Sequence, residues 1–485
     1  MLLSELLQNA RLAPAAALEA AAAVAFVTDD SRKTAPGCVF VCIEGAHFDG
    51  HTRAAQALEA GALCVVVQKD MGLAKQLLVQ DTRAAYALLC AAWHGSPAQK
   101  LRIVGVTGTN GKTTTAFLLK EIFDHSGYKT GLIGTLVNMV GKETLEASLT
   151  TPDPWELQGL FARMVETGCT HCFMEVSSQA LAQRRVEGLR FAAGIFTNLT
   201  QDHLDYHGTL DAYRAAKTSL FAQCDLAVVN LDDEAAPAML EGGAARRATY
   251  SLRRDSADYT AKNVQLGADG VIYELVGHST IGRVRFGVPG AFSVYNSLAA
   301  ACAALELGIE LPQVLAALEA SRGVRGRMEP VPVDAGFAVL IDYAHSPDGL
   351  ENVLRALRGA VQGRIITVFG CGGDRDKTKR SLMGKIAAEL SDICVVSSDN
   401  PRSEDPGAII ADILAGIKNR GGVLVEPDRR QAIYAALRRA RADDVVLLAG
   451  KGQETYQILA AGKVHLDERE VVREYFQEQS AGSKK

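Results

Sequence analysis

One short stretch constrains this chain more than any other, because it requires a strand, a tight turn and a helix in succession. The apolar run LRIVGVT is followed by GTNGKTTT at residues 108–115. Only Thr109 and Asn110 separate Gly108 from the pair Gly111 and Lys112, whereas the common phosphate-binding loop has four residues there. Backbone N–H groups of the turn and the positive end of the helix favour an anion. The stretch therefore predicts a shortened phosphate-binding loop at the end of a strand.

The side chains around this loop indicate a nucleoside triphosphate with a metal ion. Lys112 can reach the terminal phosphates, and the Thr113 hydroxyl can bind Mg²⁺. Glu175 ends the strand-like run CFME, and its carboxylate suits Mg²⁺. His203 follows another such run, but imidazole is a less usual ligand, so a hydrogen-bonding loop histidine is an equally good interpretation. The predicted cofactors are ATP and Mg²⁺, and the predicted ATP-binding residues of the loop are Gly108, Thr109, Asn110, Gly111, Lys112, Thr113 and Thr114.

Length and alternating patterns predict an α/β fold in three domains. The chain has 485 residues, enough for about three domains of about 150 residues each. Strand-like runs alternate with helical patterns, which favours parallel sheets covered by helices. We predict a small N-terminal α/β domain at 1–98, a central P-loop-like ATPase domain with a mostly parallel sheet at 99–326, and a C-terminal Rossmann-like α/β domain at 327–485. Four strand-like runs of the last domain end in polar or glycine-rich turns, which predicts one binding crevice there.

The composition limits where the protein can be located and which classes of partner it can bind. The net charge of −5 offers no basic surface for nucleic acid, and no apolar run reaches the about 20 residues that span a bilayer. Ten scattered cysteines are typical of a reducing compartment. The lone pair Cys169 and Cys172 is interpreted as two buried cysteines rather than a zinc or redox site. We therefore expect a cytoplasmic protein with no nucleic-acid partner and no membrane insertion. As a separate expectation, we take it to be a monomer.

A set of motifs in a fixed order resembles the Mur ligase family and covers essentially the whole chain. Besides the loop, it comprises DDSRKTAPGCVFVCIEGAHFDGH, MEVSSQAL, NLTQDHLDYHGT, VRGRMEPV, DYAHSPDGL, VFGCGGDRDKTKR, SDNPRSEDP and AGKGQETYQ. Members of this family join an amino acid or peptide to a nucleotide-linked muramyl precursor of peptidoglycan. The resemblance is closest to the members that add the third stem-peptide residue to UDP-MurNAc-L-Ala-D-Glu. Gln179 and Gln453 stand where this family commonly has histidine, so two titratable rings are replaced by amides.

The resemblance implies that ATP phosphorylates the D-Glu γ-carboxylate and that the acyl phosphate then accepts an amine. The implied catalytic residues are Lys112, Lys217 and His203. The implied metal ligands are Thr113, Glu175, His203 and a carbamylated Lys217. Asn296 resembles the family's adenine contact, Arg327 its phosphate-binding arginine, and Asp342 the carboxylate that holds the ribose. From the sequence pattern alone, Lys217 would be a surface lysine on a helix.

The same resemblance implies where the UDP-muramyl dipeptide binds. The uridine diphosphate end is expected at Ser31, Ala46, His47 and Phe48. The muramyl-dipeptide end is expected at Thr150, Thr151, Ser177, Gln183 and Arg185. Hydroxyl groups and an arginine suit the phosphate and carboxylate oxygens of such a substrate.

The string SDNPRSEDP indicates which amino acid is added. Arg402 presents a planar fork that suits a carboxylate, and meso-diaminopimelate differs from lysine by one carboxylate at its far end. A lysine site would leave a buried arginine uncompensated. Acceptors for the far ammonium are expected among Asp399, Asn400 and Glu454, and Arg375 could hold a second carboxylate. The diaminopimelate-binding residues implied are Arg375, Asp399, Asn400, Pro401, Arg402, Gly450 and Glu454.

Several alternatives stay open at this point. A lysine-adding Mur ligase would share most of the motifs. A ligase similar to folylpolyglutamate synthetase would lack the N-terminal segment with DSR and would not need DNPR. The DNPR string itself could also be an Asn-Pro turn that caps a helix. A P-loop switch ATPase would have the full-length loop spacing and no amino-acid-binding domain.

Overall fold

The computed structural model describes residues 1–15, 18–45, 48–200, 202–267, 270–278 and 280–482. The chain forms two compact units, one of Met1–Tyr259 with Ala299–Gln313 and one of Thr260–Leu298 with Val314–Lys485. Both contain parallel-rich sheets with helices between the strands, so the predicted α/β class is confirmed. The predicted domain limits after residues 98 and 326 stay a prediction.

The first unit contains two sheets. Its helices are α1 (Leu3–Asn9), α2 (Ala54–Glu59), α3 (Thr82–Trp93), α4 (Lys112–His125), α5 (Pro154–Glu166), α6 (Ser178–Ala182), α7 (Leu204–His207), α8 (Leu210–Thr218) and α9 (Ala236–Leu240). Its strands are β1 (Phe26–Thr28), β2 (Cys38–Val41), β3 (Cys64–Val67), β4 (Gln76–Leu78), β5 (Arg102–Thr107), β6 (Thr130–Ile133), β7 (Val137–Val140), β8 (Glu143–Glu146), β9 (His171–Glu175), β10 (Phe191–Phe196), β11 (Leu226–Asn230) and β12 (Arg246–Ser251).

The smaller of the two sheets has the order β1-β2-β3-β4, and all its neighbours are parallel. Strands β2 and β3 are buried at every position, as expected for parallel strands that are covered on both faces. Helix α3 begins after Asp81, whose carboxylate accepts hydrogen bonds from the N–H groups of Arg83 and Ala84 and so caps the helix. The segments that follow β1 and β2 carry the predicted uridine diphosphate residues.

The larger sheet of the first unit positions the phosphate loop. Its order within this unit is β12-β11-β10-β5-β9-β6-β7-β8, parallel from β12 to β6 and antiparallel beyond. The register pairs Thr107 with Phe196 and Val106 with Glu175. The carboxyl ends of β5, β9 and β10 therefore lie side by side, which is where open α/β sheets bind ligands.

The second unit contains the remaining elements. Its strands are β13 (Tyr259–Gly267), β14 (Gly270–Gly277), β15 (Thr280–Phe286), β16 (Glu329–Val331), β17 (Ala338–Asp342), β18 (Ile365–Phe369), β19 (Ile393–Val396), β20 (Val423–Val425), β21 (Val445–Ala449), β22 (Tyr456–Leu459) and β23 (Gly462–His465). Helices α10 (Ala291–Glu306) and α11 (Leu311–Ala320) each have residues in both units. The other helices of the second unit are α12 (Pro347–Ala360), α13 (Thr378–Leu390), α14 (Pro406–Leu414), α15 (Arg429–Leu437) and α16 (Glu468–Gly482). The β-like sequence runs GVIYELVG and IGRVRFGV near residues 250–290 predict an antiparallel addition, and this is confirmed, since β14 and β15 pair in that direction.

The sheet of residues 329–449 brings four strand ends together. Its order is β16-β17-β21-β18-β19-β20, with only the β16–β17 pair antiparallel. The register places Asp342 beside Ala449 and Phe369 beside Val396. The predicted crevice at the ends of these four strands is thus built, because β17, β18, β19 and β21 all end at the same edge.

All ten cysteines are free and buried, which confirms the interpretation of Cys169 and Cys172 as plain buried thiols. Burial raises the pKa of the Cys38 thiol and that of Cys42 to about 12. Within the described residues, the helices are all too short or too polar to cross a membrane.

A buried ion pair fixes the end of β21. Arg429 donates from Nε to Glu468 Oε1 at 2.9 Å and from Nη2 to the Ala449 carbonyl at 2.8 Å, and both charged side chains are fully buried. Removing one partner of such a pair leaves an uncompensated charge in the core. We expect Glu468→Gln to lower the free energy of unfolding by about 3 kcal/mol, measured by denaturant or thermal unfolding.

The exposed pair of Arg355 and Glu351 on α12 provides the matched control. Glu351→Gln should lower the free energy of unfolding by no more than about 0.5 kcal/mol. Equal losses in the two variants would contradict the role given to the buried pair.

Candidate active site

The turn between β5 and α4 requires glycine at two positions. Gly108 has a φ of 147° and Gly111 a φ of 88°, conformations that favour glycine. A Cβ at Gly108 would also collide with the Thr197 hydroxyl. Gly111 directly precedes the first residue of α4, so the first turn of the helix, with Thr113 and Thr114, directs its N–H groups towards the turn.

Hydrogen bonds from the segment after β10 hold this turn in place. The Asn110 N–H donates to Asn198 Oδ1 at 2.9 Å, and the Thr197 hydroxyl donates to the Asn110 carbonyl at 2.6 Å. The Thr109 hydroxyl lies 3.2 Å from the Tyr213 hydroxyl. The loop is therefore held in its conformation by side chains 87 to 104 residues away in the sequence.

Two lysines converge on one carbonyl of the loop. Lys112 Nζ donates to the carbonyls of Gly108 and Thr109, at 2.9 and 2.8 Å. Lys217 Nζ donates to the same Gly108 carbonyl at 2.8 Å and lies 4.4 Å from the centre of the Tyr213 ring. Lys217 is buried, so its interpretation as a surface lysine is wrong. Burial, and then the charge of Lys112, lower the pKa of the Lys217 amine well below its usual range.

Glu175 is buried beside the first turn of α4. Its Oε2 accepts hydrogen bonds from the hydroxyls of Thr113 and Thr135, at 2.9 and 3.0 Å. Its Oε1 accepts a hydrogen bond from the Thr135 N–H at 2.8 Å. Sequence reasoning missed Thr135, whose only signal is its position just after β6, at the same sheet edge.

His203 has a left-handed backbone, with a φ of 52°, and an exposed side chain. Its Nε2 lies 3.5 Å from Asp202 Oδ2, and its ring centre lies 6.2 Å from that of Tyr213. Tyr213 is thus a common neighbour of His203 and Lys217. Burial raises the pKa of the Tyr213 hydroxyl to about 12, which keeps it a hydrogen-bond donor.

The oxygen groups at this loop fit a magnesium ion that is bound together with a nucleotide. Among the described residues, no three His, Cys, Asp or Glu side chains cluster as a metal site. Magnesium needs fewer protein ligands, since it is usually bound by one or two carboxylates, phosphates and waters. The Thr113 hydroxyl and the Glu175 carboxylate, 2.9 Å apart, offer that donor set.

The predicted muramyl-dipeptide residues form one network next to Glu175. The Thr151 hydroxyl donates to the Glu175 carbonyl at 2.9 Å and accepts from the Ser177 N–H at 3.1 Å. Arg185 donates to the Thr151 carbonyl at 2.8 Å and to Gln183 Oε1 at 2.7 Å. Burial lowers the pKa of the Arg185 guanidinium. The Thr150 hydroxyl lies 3.1 Å from that of Thr135.

The predicted uridine diphosphate residues lie in the N-terminal part of the same unit. Ser31 begins a short 3₁₀ turn, Ser31–Lys33, capped by the Asp30 carboxylate. Phe48 is 49% exposed, and Arg53 Cζ lies 5.9 Å from its ring centre. Ala46 and His47 lie outside the described residues.

Three predicted nucleotide residues belong to the second unit. Asn296 is buried in α10, and Arg327 Cζ lies 5.1 Å from the centre of the Tyr343 ring. The buried Asp342 carboxylate accepts hydrogen bonds from the N–H groups of Met328 and Ala344, both at 2.8 Å. Burial raises the pKa of Asp342, and Arg327 opposes that shift. Asp342 therefore also fixes the backbone on which Arg327 lies.

A cavity of about 300 Å³ opens at the carboxyl ends of β17, β18, β19 and β21. It is lined by Tyr343, His345, Gly370, Cys371, Gly372, Arg375, Lys379, Asp399, Asn400, Arg402, Gly450 and Glu454. Six of the seven predicted diaminopimelate residues are among them. The seventh, Pro401, packs its carbonyl against Gly373, where a Cβ would collide with it.

Charges of both signs line this cavity. Arg402 has a left-handed φ of 53° and donates from Nη1 to the Gly373 carbonyl at 2.8 Å. Lys379, which sequence reasoning missed, donates to the His345 carbonyl at 2.8 Å. Arg375 adds a third cation, and Asp399 and Glu454 supply carboxylates. Such a wall suits a small molecule that carries carboxylate and ammonium groups.

The structure corrects one detail of this site. Asn400 is not available as an acceptor for a ligand ammonium, because its Oδ1 already accepts hydrogen bonds from Lys451 Nζ at 3.1 Å and from the Ile458 N–H at 2.9 Å. Its Nδ2 donates to Glu454 Oε2 at 2.8 Å. Asp399 and Glu454 therefore remain as the predicted hydrogen-bond acceptors for the ligand ammonium.

The first unit has a shortened phosphate-binding loop, and the second has a cavity that suits a zwitterion. These are the parts of an ATP-dependent ligase. Three family models match the chain: "Mur ligase family, catalytic domain" at residues 23–91, "Mur ligase middle domain" at 106–304, and "Mur ligase, glutamate ligase domain" at 326–452. The chain belongs to the Mur ligase family.

Relatives and solved structures narrow the comparison. The chain is 44% identical over 454 residues to UDP-N-acetylmuramoyl-L-alanyl-D-glutamate–2,6-diaminopimelate ligase 1 of Clostridium acetobutylicum. The aligned region covers 93% of this chain and 94% of that protein. A solved structure of a ligase of the same name shares 33% identity and a TM-score of 0.76, over 99% of this chain and all of that one. Folylpolyglutamate synthase of Mycobacterium tuberculosis, complexed with ADP and AMPPCP, has a TM-score of 0.59 at 18% identity over 76% of this chain and 92% of its own.

Proposed function

We propose that this chain is an ATP-dependent ligase that adds meso-diaminopimelate to UDP-MurNAc-L-Ala-D-Glu in cytoplasmic peptidoglycan precursor synthesis. The observation that carries the proposal is the cavity, which gathers Arg375, Arg402, Asp399 and Glu454 at one sheet edge. The named relatives with high coverage support the same substrates. We further propose that the protein acts as a monomer, since the loop and the cavity are both built from one chain.

The reaction makes an amide from two groups that do not combine by themselves at neutral pH. An oxygen of the D-Glu γ-carboxylate attacks the γ-phosphorus of ATP, the bond to the β,γ-bridging oxygen breaks, and ADP leaves. The amine of the second substrate then attacks the acyl carbon, its proton is released, and inorganic phosphate leaves with the C–O bond electrons. Each step brings anions together or moves negative charge, so positioning and electrostatic stabilisation supply most of the rate.

The phosphate loop supplies this stabilisation. Lys112 neutralises the terminal phosphates, while the N–H groups of the turn and of the first turn of α4 orient them. Mg²⁺, when bound, would neutralise further phosphate charge. Thr113 would hold one ion beside the triphosphate, and Glu175, His203 and a carbamylated Lys217 would hold a second. Asn296, Arg327 and Asp342 are proposed to hold the adenine, phosphate and ribose parts of the nucleotide.

The muramyl substrate is proposed to lie along the first unit. Ser31 and Phe48 would contact its uridine diphosphate end. The network of Thr150, Thr151, Ser177, Gln183 and Arg185 would orient the dipeptide end, and its closeness to Glu175 supports that role. Ala46 and His47 are proposed on the family resemblance alone.

The cavity favours diaminopimelate over lysine. Lysine offers one carboxylate, whereas the cavity wall holds Arg375, Lys379 and Arg402. Arg402 and Lys379 are half-buried, and cations on one wall bind carboxylates through charge-assisted hydrogen bonds, so the second carboxylate of meso-diaminopimelate is the better match. A folylpolyglutamate synthetase-like activity is the weaker alternative, since that synthase covers only 76% of this chain.

One assay tests the proposed function. Purified protein is incubated with ATP, Mg²⁺ and UDP-MurNAc-L-Ala-D-Glu, and phosphate release and tripeptide formation are followed with meso-diaminopimelate or L-lysine. We expect turnover that requires the muramyl dipeptide and is much faster with meso-diaminopimelate. ATP hydrolysis that is independent of the dipeptide, or an equal rate with lysine, would contradict the proposal.

Lys217 is proposed to carry a carbamate. Burial and the charge of Lys112 lower the pKa of this amine, which increases the fraction of its neutral, nucleophilic form. The neutral amine attacks the carbon of CO₂ and loses a proton, so a carboxylate forms beside the loop. We expect Lys217→Met to lower kcat about 100-fold. CO₂-free buffer should lower wild-type activity reversibly, and ¹³C-labelled bicarbonate should give a carbamate signal in NMR spectra.

Arg214 on the same helix α8 is half exposed and pairs with Asp211, so Arg214→Met is the matched control and should keep full activity. Because the pKa is lowered, the carbamate should persist to lower pH than on an exposed lysine and be lost once the amine is protonated. A wild-type rate that is independent of CO₂ would contradict this role.

A further inference from the structure

Lys451, in the turn after β21, is a fully buried ammonium group to which the mechanism above assigns no role. A buried charge is costly unless it is paired and hydrogen-bonded. Lys451 Nζ donates to Glu454 Oε2 at 2.9 Å and to Asn400 Oδ1 at 3.1 Å. Both partners line the cavity, so this lysine contacts the wall of the cavity from behind.

Lys451 fixes the orientation of the Asn400 amide. Asn400 Oδ1 accepts from Lys451 and from the Ile458 N–H, and neither of these groups can accept a hydrogen bond in return. If the amide were flipped, its NH₂ group would face two other donors, Lys451 Nζ and the Ile458 N–H. Asn400 Nδ2 must therefore face Glu454, to which it donates.

The same arrangement anchors only one oxygen of Glu454. Its Oε2 accepts from both Lys451 and Asn400, whereas Oε1 takes no hydrogen bond from any residue in the part of the chain that the structure describes. Because Glu454 lines the cavity, it offers a ligand one carboxylate oxygen in a fixed position. A fixed acceptor binds a matching donor with less loss of side-chain entropy than a mobile one.

We propose that Lys451 is a positioning residue for amino-acid recognition: it anchors Asn400 and Glu454 so that Glu454 accepts a hydrogen bond from the far ammonium group of the substrate. The inference rests on the proposed function and names the substrate group that this side of the cavity reads. A merely structural lysine would, when replaced, weaken the binding of every amino acid equally. A positioning lysine affects only substrates that carry the far ammonium.

The test compares meso-diaminopimelate with 2-aminopimelate, which keeps both carboxylates and the reacting amine but lacks the far amine. Wild type, Lys451→Met and Lys451→Gln are assayed with ATP and UDP-MurNAc-L-Ala-D-Glu. We expect Lys451→Met to lower kcat/KM for meso-diaminopimelate about 10- to 100-fold, mainly through KM, as expected for a lost charge-assisted hydrogen bond. The kcat/KM for 2-aminopimelate and the KM values for ATP and the muramyl dipeptide should change by less than about twofold. Lys451→Gln keeps a hydrogen-bond donor, so its kcat/KM for meso-diaminopimelate should lie between those of wild type and Lys451→Met.

Two further variants isolate the contact. Glu454→Gln should reduce the preference for meso-diaminopimelate to the same extent, and Lys451→Met with Glu454→Gln should reduce it no further. Lys463→Met, at an exposed lysine of β23 next to the Tyr456 ring, is the control and should behave as wild type.

The outcomes separate this inference from the proposed function. A wild type that uses meso-diaminopimelate, with an unchanged preference over 2-aminopimelate in both Lys451 variants, would overturn the inference alone. Failure of both variants to fold would also overturn it, since it assigns Lys451 to the cavity rather than to the stability of the fold. A wild type inactive with meso-diaminopimelate would overturn the proposed function, and this inference with it.

Discussion

Replacing Lys112 with alanine is expected to lower kcat for tripeptide formation about 10,000-fold. The Lys112 ammonium lies on the loop itself, 2.9 and 2.8 Å from the carbonyls of Gly108 and Thr109, where the terminal phosphates of ATP would meet it. Phosphoryl transfer depends almost entirely on positioning and charge stabilisation, and one cation at the transferred group contributes about 1,000- to 100,000-fold. The measurement is phosphate release and tripeptide formation at saturating substrates.

The control separates chemistry from folding. Lys142, in the turn between β7 and β8, is exposed, so Lys142→Ala should keep wild-type kcat. Lys112→Ala should unfold within a few degrees of wild type, because the rest of the loop is held by Asn198 and Thr197. A Lys112→Ala variant that forms tripeptide at the wild-type rate would contradict the assignment of this loop to ATP.

Much of the fold follows from local patterns. The alternation of apolar runs and helical stretches predicts parallel sheets, and β5, β9, β10, β17, β18, β19 and β21 are found in those runs. The phosphate loop was predictable for the same reason, since strand, glycine turn and helix are contiguous in the sequence. The antiparallel pair β14 and β15 is likewise local, because a hairpin needs only neighbouring residues.

The partners of the site residues could not be predicted in the same way. Thr135 reaches Glu175 from 40 residues away, and Lys451 reaches Asn400 from 51 residues away. Arg380 is buried between Glu404 and Asp412, although its sequence neighbours are those of a surface helix. Such contacts depend on strand order and register, which local periodicity does not specify.

The different roles of three lysines could not be predicted from the sequence pattern alone. Lys112, Lys217 and Lys451 have the same side chain, and only Lys112 belongs to a pattern that predicts its role from spacing. The partners of the other two distinguish them. Lys217 has a lowered pKa and donates to the Gly108 carbonyl, which suits an amine that reacts as a nucleophile. Lys451 has a carboxylate partner at 2.9 Å, which suits a role in holding that carboxylate.

The second large effect is expected at Arg402, whose replacement by methionine should lower kcat/KM for meso-diaminopimelate about 1,000-fold. The physical reason is that the far carboxylate of the substrate would enter a cavity without its arginine partner. Arg402 is half-buried, and truncating one partner of a charge pair that binding buries costs about 2–5 kcal/mol. L-Lysine has no far carboxylate, so its kcat/KM should stay within about threefold of wild type or rise. Steady-state kinetics with both amino acids measure the ratio.

Two variants decide whether charge or shape is responsible. Arg402→Lys should recover only part of the loss, because a single ammonium lacks the planar fork that binds both oxygens of a carboxylate. Arg438→Met, at an exposed arginine beyond α15, should leave both substrates unaffected. Arg402 also donates to the Gly373 carbonyl, so a purely structural role is the competing explanation. That explanation predicts equal losses for lysine and diaminopimelate, whereas recognition of the far carboxylate predicts that only the second is lost.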